Sequence, residues 1–199
     1  MVNWRELKVT KDVDRDGDID ILSASYQNDE IAWHENDGNQ NFTENVISTT
    51  AFGVHDISAE DVDGDGDSDL LVVASDINTI SWYENDGNQN FTEHIISTNT
   101  IAPNRVTTED VDGDGDLDVL SASRNDDKIA WFENDGSQNF TEHIISTNAD
   151  NARTPLAIDL DRDGDMDVLS ASFGDDKIAW YENDGSQNFT EHIISTNAD

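Results

Sequence analysis

Four times in this chain the order Asp-x-Asp-x-Asp-Gly-x-x-Asp recurs, beginning at Asp12, Asp61, Asp110 and Asp159, each start 49 residues after the last. The copies read DVDRDGDID, DVDGDGDSD, DVDGDGDLD and DLDRDGDMD. Five carboxylates within nine residues repel one another strongly unless a cation lies among them. Carboxylate and carbonyl oxygens around a tight glycine turn are what hard Ca²⁺ takes as ligands. The candidate ligands are Asp12, Asp14, Asp16, Asp18 and Asp20; Asp61, Asp63, Asp65, Asp67 and Asp69; Asp110, Asp112, Asp114, Asp116 and Asp118; and Asp159, Asp161, Asp163, Asp165 and Asp167. Positions one, three and five would offer side chains, and Gly at position six allows the sharp turn. Position seven would offer its backbone carbonyl, and position nine would close the shell, with a bidentate grip open to it. About four Ca²⁺ per chain are expected.

Other chemistry fits less well. An EF-hand needs Glu at position twelve and flanking helices; here that position is Ser23, Val72, Ser121 or Ser170, between strand-like flanks. Mg²⁺ keeps its waters and disfavours a crowded carboxylate cage. Zn²⁺ wants His or Cys, and no His lies in a loop. A glycosidase needs two carboxylates in different surroundings, whereas these clusters are near copies of one another. His94, His143 and His192 share one strand position, held by Asn45 in the first repeat, and His34 and His55 stand alone. They read as exposed polar strand residues. No Ser-His-Asp order or glycine-rich phosphate loop stands out, so no enzymatic activity is expected.

The elements that must carry the loops are short strands. In the third repeat Arg105–Glu109, Val119–Ser123, Lys128–Glu133 and Phe140–Ser146 read as four antiparallel strands. Asn125-Asp126-Asp127 makes one turn and Asn134-Asp135-Gly136 a hairpin turn, since Gly tolerates positive φ. Trp33, Trp82, Trp131 and Trp180 share one position, and Phe42, Phe91, Phe140 and Phe189 another; both rows read as core between repeats. The Asn-Phe-Thr at Asn41, Asn90, Asn139 and Asn188 matches a glycosylation sequon, relevant only in a eukaryotic secretory host.

Four such periods account for nearly all of the 199 residues, so one repeat domain is expected, with units over 4–49, 50–98, 99–147 and 148–199. Each unit alone is too small to bury a core and must stack on its neighbours. The net charge of −35 makes nucleic acid and anionic membranes poor partners. Cysteine is absent, so no disulfide framework exists. No apolar run is long enough to span a bilayer, and MVNWRELK is not a signal peptide. Calcium sites of modest affinity fill where calcium is abundant, which points outside the cell. The chain then reads as a mature, excised or engineered segment of a secreted protein.

A four-stranded antiparallel unit of this length is the size of one β-propeller blade. With its Asp loop between the first and second strands and an Ile/Val-Leu strand after it, the chain resembles the FG-GAP/VCBS repeat proteins along its whole length. These include the heads of integrin α chains and many bacterial secreted proteins. The family's Phe-Gly and Gly-Ala-Pro signatures are mostly missing, with Phe52-Gly53 in place of one. The resemblance implies an all-β propeller of four 49-residue blades and the same calcium roles for the Asp residues. The ring would be closed at four blades or completed by oligomerisation, and the closed monomer is the preferred expectation. It also implies partner binding on the face opposite the calcium loops. There the repeats differ most, and the candidate contacts are Phe52, His55, Arg105, Arg124, Arg153 and Phe173. A non-catalytic adhesion or scaffold module is the first expectation. Alternatives are a carbohydrate-binding propeller, a non-catalytic segment of a larger secreted enzyme, and an amplified array without a specific ligand.

Overall fold

The computed structural model describes residues 6–198, with side chains from residue 9 onward. The described residues are all-β apart from one 3-10 turn, Ser75–Ile77. The first sheet holds β1 (Glu6–Lys11), β2 (Asp20–Ser25), β3 (Glu30–Asn36) and β4 (Phe42–Ser48). The second holds β5 (Val54–Glu60), β6 (Asp69–Ala74), β7 (Thr79–Asn85) and β8 (Phe91–Ser97). The third holds β9 (Pro103–Glu109), β10 (Asp118–Ser123), β11 (Lys128–Asn134) and β12 (Phe140–Ser146). The fourth holds β13 (Ala152–Ile158), β14 (Asp167–Ser172), β15 (Lys177–Asn183) and β16 (Phe189–Ser195). In every sheet the strands lie in chain order, four antiparallel neighbours in a meander. These are four sheets of blade form, one per 49-residue repeat.

Strand positions expected for the third repeat hold, with small extensions. β9 reaches back to Pro103, a proline at the first residue of a strand, where no ladder donor is lost. β11 runs on to Asn134. The start of the first unit, at residue 4, lies outside the described residues. The Asn-Asp-Gly turn is longer than a tight hairpin. Asp135 N–H donates to the Asn139 carbonyl at 3.3 Å, and both Gly136 (φ 71) and Gln138 (φ 58) are left-handed. Glycine was the legible half of that turn.

The chain divides into two compact units between Asn99 and Thr100. In the first, β5 packs on β1 and β2. The core there joins Val13, Leu22, Ile31 and Trp33 of the first blade to Val54, Ile57, Ala59 and Tyr83 of the second. In the second unit β13 packs on β9 and β10, and Leu120, Ile129 and Trp131 meet Ala149, Ala152, Val168 and Tyr181. The second strand of each sheet is the most enclosed: β6 and β10 bury every residue. The fourth strand is the least, with Val46, Ile95, Ile144 and Ile193 all exposed. Removing the apolar sides of two sheets from water is what stacks the blades. No helix among the described residues is long and apolar enough to cross a membrane.

Candidate metal centre

Each Asp loop joins the first and second strands of its blade. Position six is glycine with φ of 98, 92, 100 and 103 at Gly17, Gly66, Gly115 and Gly164, a conformation that side chains resist. Side chains of the loop then bond its own backbone. Asp63 Oδ1 accepts from Asp65 N at 3.1 Å, and Asp65 Oδ1 from Asp67 N at 2.7 Å; the other loops repeat both bonds. Asn and Asp close such turns readily.

Position nine is built differently. Asp20, Asp69, Asp118 and Asp167 are wholly buried. One oxygen of Asp69 accepts from Val62 N at 2.9 Å and the other from Asn85 N at 2.8 Å. The same two bonds pin Asp20 to Val13 and Asn36, Asp118 to Val111 and Asn134, and Asp167 to Leu160 and Asn183. This carboxylate therefore ties the loop to the end of the blade's third strand. Each oxygen accepts one backbone N–H and so keeps one lone pair for a cation.

In every blade the carboxylates of positions one, three and nine converge, with ligand oxygens within 4.8 Å of one another: Asp12, Asp14 and Asp20; Asp61, Asp63 and Asp69; Asp110, Asp112 and Asp118; Asp159, Asp161 and Asp167. The position-five carboxylates of Asp16, Asp65, Asp114 and Asp163 are not in these triads. Nor are those of position seven, which turn toward the glycine of the next hairpin: a methyl on Gly136 would lie 2.5 Å from Asp116 Oδ2, and one on Gly87 2.6 Å from Asp67 Oδ2. The position-seven carboxylate is thus turned away from the triad.

The donor set fits a hard cation. Asp12, Asp61 and Asp159 each keep a buried Oδ1 with no hydrogen-bond partner, an arrangement that is costly for a carboxylate. Burial pushes Asp69 and Asp118 up to about 7 against the lowering effect of their backbone bonds, and the Asp residues at positions three and five add repulsion. Asp63 and Asp112 are raised as well, first by burial and then by their Asp neighbours. Four triads that can hold metal ions, one per repeat, are thus in place, and Asp12, Asp61, Asp110 and Asp159 with their partners would hold them.

Two features of the blade escaped the sequence reading. The row of His residues is not simply solvated: His94, His143 and His192 stack on Trp82, Trp131 and Trp180 with centroids 4.6–4.7 Å apart. Each also bonds Glu84, Glu133 or Glu182 at 2.6–2.7 Å. Trp82 and His94 are directly cross-strand, so the hairpin register was the signal that could have found this. The sequon asparagines are also engaged: Asn90 Nδ2 donates to Asp86 at 2.9 Å, and this bond holds Asp86 below its ordinary value.

Of the residues expected on the opposite end of the blades, Arg153 and Phe173 come together, the guanidinium 5.3 Å from the ring centroid. Arg105 is exposed on β9 and Arg124 half-buried just after β10. In the first unit Phe52 is exposed and His55 half-buried on β5.

The FG-GAP-like repeat matches this chain four times, over residues 12–72, 61–121, 110–170 and 159–199. The chain belongs to the FG-GAP-like repeat family. Each match opens at the first Asp of a metal loop, so the loop that organises the fold is also what marks the family. A search of curated proteins finds no match. Among solved structures, a catalytically inactive virginiamycin B lyase from Staphylococcus aureus with quinupristin is similar at 15% identity and a TM-score of 0.63, covering 99% of this chain and 60% of its own. The V. cholerae biofilm matrix protein Bap1 is similar at 18% identity and a TM-score of 0.64, covering 96% of this chain and 28% of its own. A streptogramin B lyase shares 15% identity at a TM-score of 0.59, over 90% of this chain and 52% of its own. The FG-GAP-like chain thus spans three-fifths or less of these neighbours, and the likeness is one of fold.

Proposed function

We propose that this FG-GAP-like chain is a calcium-stabilised, non-catalytic propeller module that works outside the cell as a binding or scaffold unit. The observation that carries the reading is one carboxylate triad repeated in all four blades, with a buried oxygen left without a hydrogen bond in three of them. An all-oxygen donor set suits Ca²⁺. Without Cys, and with His94, His143 and His192 stacked on Trp, the triads offer Zn²⁺ carboxylate oxygens and none of the Cys or His ligands it prefers. Extracellular calcium, near the weak end of the usual affinity range of roughly 10⁻⁴–10⁻³ M, is enough to fill such sites.

Four equivalent clusters provide no differentiated acid and base, which supports a binding role over catalysis. The partner surface is the end of the blades away from the metal loops, where Arg153 over Phe173 offers a cation beside an exposed ring. Titration calorimetry with metal analysis tests the reading. It expects close to four Ca²⁺ per chain and little response to Zn²⁺; no bound calcium, or a single site, overturns it.

A further inference from the structure

In three of the four blades a tryptophan on the third strand, and a glutamate two residues further on, hold a histidine from the fourth strand. The ring of His94, His143 or His192 stacks on Trp82, Trp131 or Trp180 at 4.6–4.7 Å, with the planes 19–27° apart. The same histidine bonds Glu84, Glu133 or Glu182 through Nε2 at 2.6–2.7 Å. An aromatic platform under the ring and a carboxylate at its edge fix both the plane of the imidazole and the direction of its N–H.

The first blade keeps the platform and the carboxylate and lacks the ring. Trp33 and Glu35 occupy the same positions on β3, and Asn45 stands directly cross-strand from Trp33, where the other blades place histidine. The Asn45 side chain is lightly held: among the described residues its Nδ2 donates only to the Thr43 carbonyl, at 3.5 Å, beyond the usual hydrogen-bond range. Glu35 is half-buried, and its carboxylate has no hydrogen bond or ion pair among the described residues. A cleft of about 400 Å³ opens here, between Trp33, Asn45 and Ile47 of the first blade and Gln89, Asn90 and Phe91 of the second. All of these residues belong to the first compact unit. Ile47 and Phe91 pack against the core that holds Trp33, which makes one wall apolar. Gln89 and Asn90 donate through their side-chain nitrogens to Gly87 and Asp86, and their amide oxygens accept nothing among the described residues.

We infer that this cleft receives a histidine side chain from a partner polypeptide. Its imidazole would stack on Trp33 and give an N–H to Glu35, as the chain's own rings do in the other blades, once the Asn45 amide turns aside. Either protonation state of an imidazole supplies an N–H donor, and the net charge of −35 favours the cation. The cleft exceeds the space of one imidazole, which leaves room for the residues that carry it. The free oxygens of Gln89 and Asn90 can accept main-chain N–H groups of the partner. The site lies beside the Asn-Asp-Gly turn of the second blade, apart from the loops at the other end of the blades, and draws on no bound calcium.

Titration of the full chain with the blocked peptide acetyl-Gly-His-Gly-amide, followed by heteronuclear NMR, tests this. The peptide is expected to shift the Trp33 indole N–H and to saturate at one per chain. Acetyl-Gly-Ala-Gly-amide and free imidazole are each expected to bind about tenfold more weakly, the first for want of the ring and the second for want of the main chain. Glu35→Gln should weaken the histidine peptide about tenfold, because the bond then loses its charge. Asn45→His should abolish binding by supplying the ring from within. Three blades already fold with histidine at that position, so this variant is expected to keep the wild-type circular dichroism. Failure of the histidine peptide to bind overturns the proposal, as does equal binding of the alanine peptide. So does binding that Asn45→His or Glu35→Gln leaves unchanged. Imidazole that binds as tightly as the peptide also overturns it, since the ligand would then be a small molecule and not a polypeptide.

Discussion

Replacing Asp63 by Asn separates the metal role of the loop from its structural role. Asp63 sits at position three, in a triad with Asp61 and Asp69. Its Oδ1 accepts the Asp65 N–H at 3.1 Å, and an Asn oxygen can keep that bond. The substitution thus removes a charge and leaves the turn standing. In calcium the variant loses the linkage of one site, about 2.7 kcal/mol at free calcium about 100 times the Kd. For a chain of this size that lowers Tm by about 5–11 °C. In chelator the sign should reverse or vanish, because burial and the Asp neighbours already hold Asp63 above its ordinary carboxylate value, and Asn removes that repulsion. Thermal scans of wild type and variant, each with excess calcium and with EDTA at low ionic strength, give the four numbers needed. Equal destabilisation in both conditions would refute the reasoning, since Asp63 would then support the fold without metal.

In EDTA the wild type should be more stable near pH 6 than near pH 8. Asp69 and Asp118 are raised to about 7 in the fold, so their contribution is full below the unfolded carboxylate pKa and is lost as pH rises through about 7. Saturating calcium should flatten that dependence, and urea midpoints against pH would show it. Gly136→Ala should cost about 1–3 kcal/mol, because φ is 71 and the new methyl would meet Asp116 Oδ2 at 2.5 Å; an unchanged urea midpoint contradicts that turn geometry. His143→Ala should cost about 1 kcal/mol by removing the stacked ring over Trp131, against about 3–5 kcal/mol for Trp131→Ala, whose side chain is buried. Comparable losses from the two would mean that the His does more than cover the ring.

The repeat, the strand order and the loop that carries the acids were legible because each rests on local rules: a fixed period, alternation along a strand, and glycine where the backbone turns left. The division of labour inside the loop was not. Asp67 and Asp69 are two residues apart and chemically identical, yet one turns its carboxylate toward Gly87 while the other is buried under two backbone N–H groups. What decides between them is the Asn85 N–H, 16 residues on, delivered by the antiparallel register of β6 and β7. The stacking of His94 on Trp82 was hidden for the same reason. Spacing shows which residues recur; only pairing between strands shows which of them meet.

That pairing gives the metal loop its connection to the rest of the blade. Asp69 is at once a corner of the triad and the first residue of β6, a strand with every residue buried. A cation drawing on its remaining lone pairs would pull against a carboxylate already fixed by β7, so metal binding and sheet packing act on the same atoms. The loop closed by Asp63 and Asp65 alone, through bonds within the exposed turn, has no such link. Loss of metal should therefore loosen the turn first, and should reach the core only through the buried Asp at position nine.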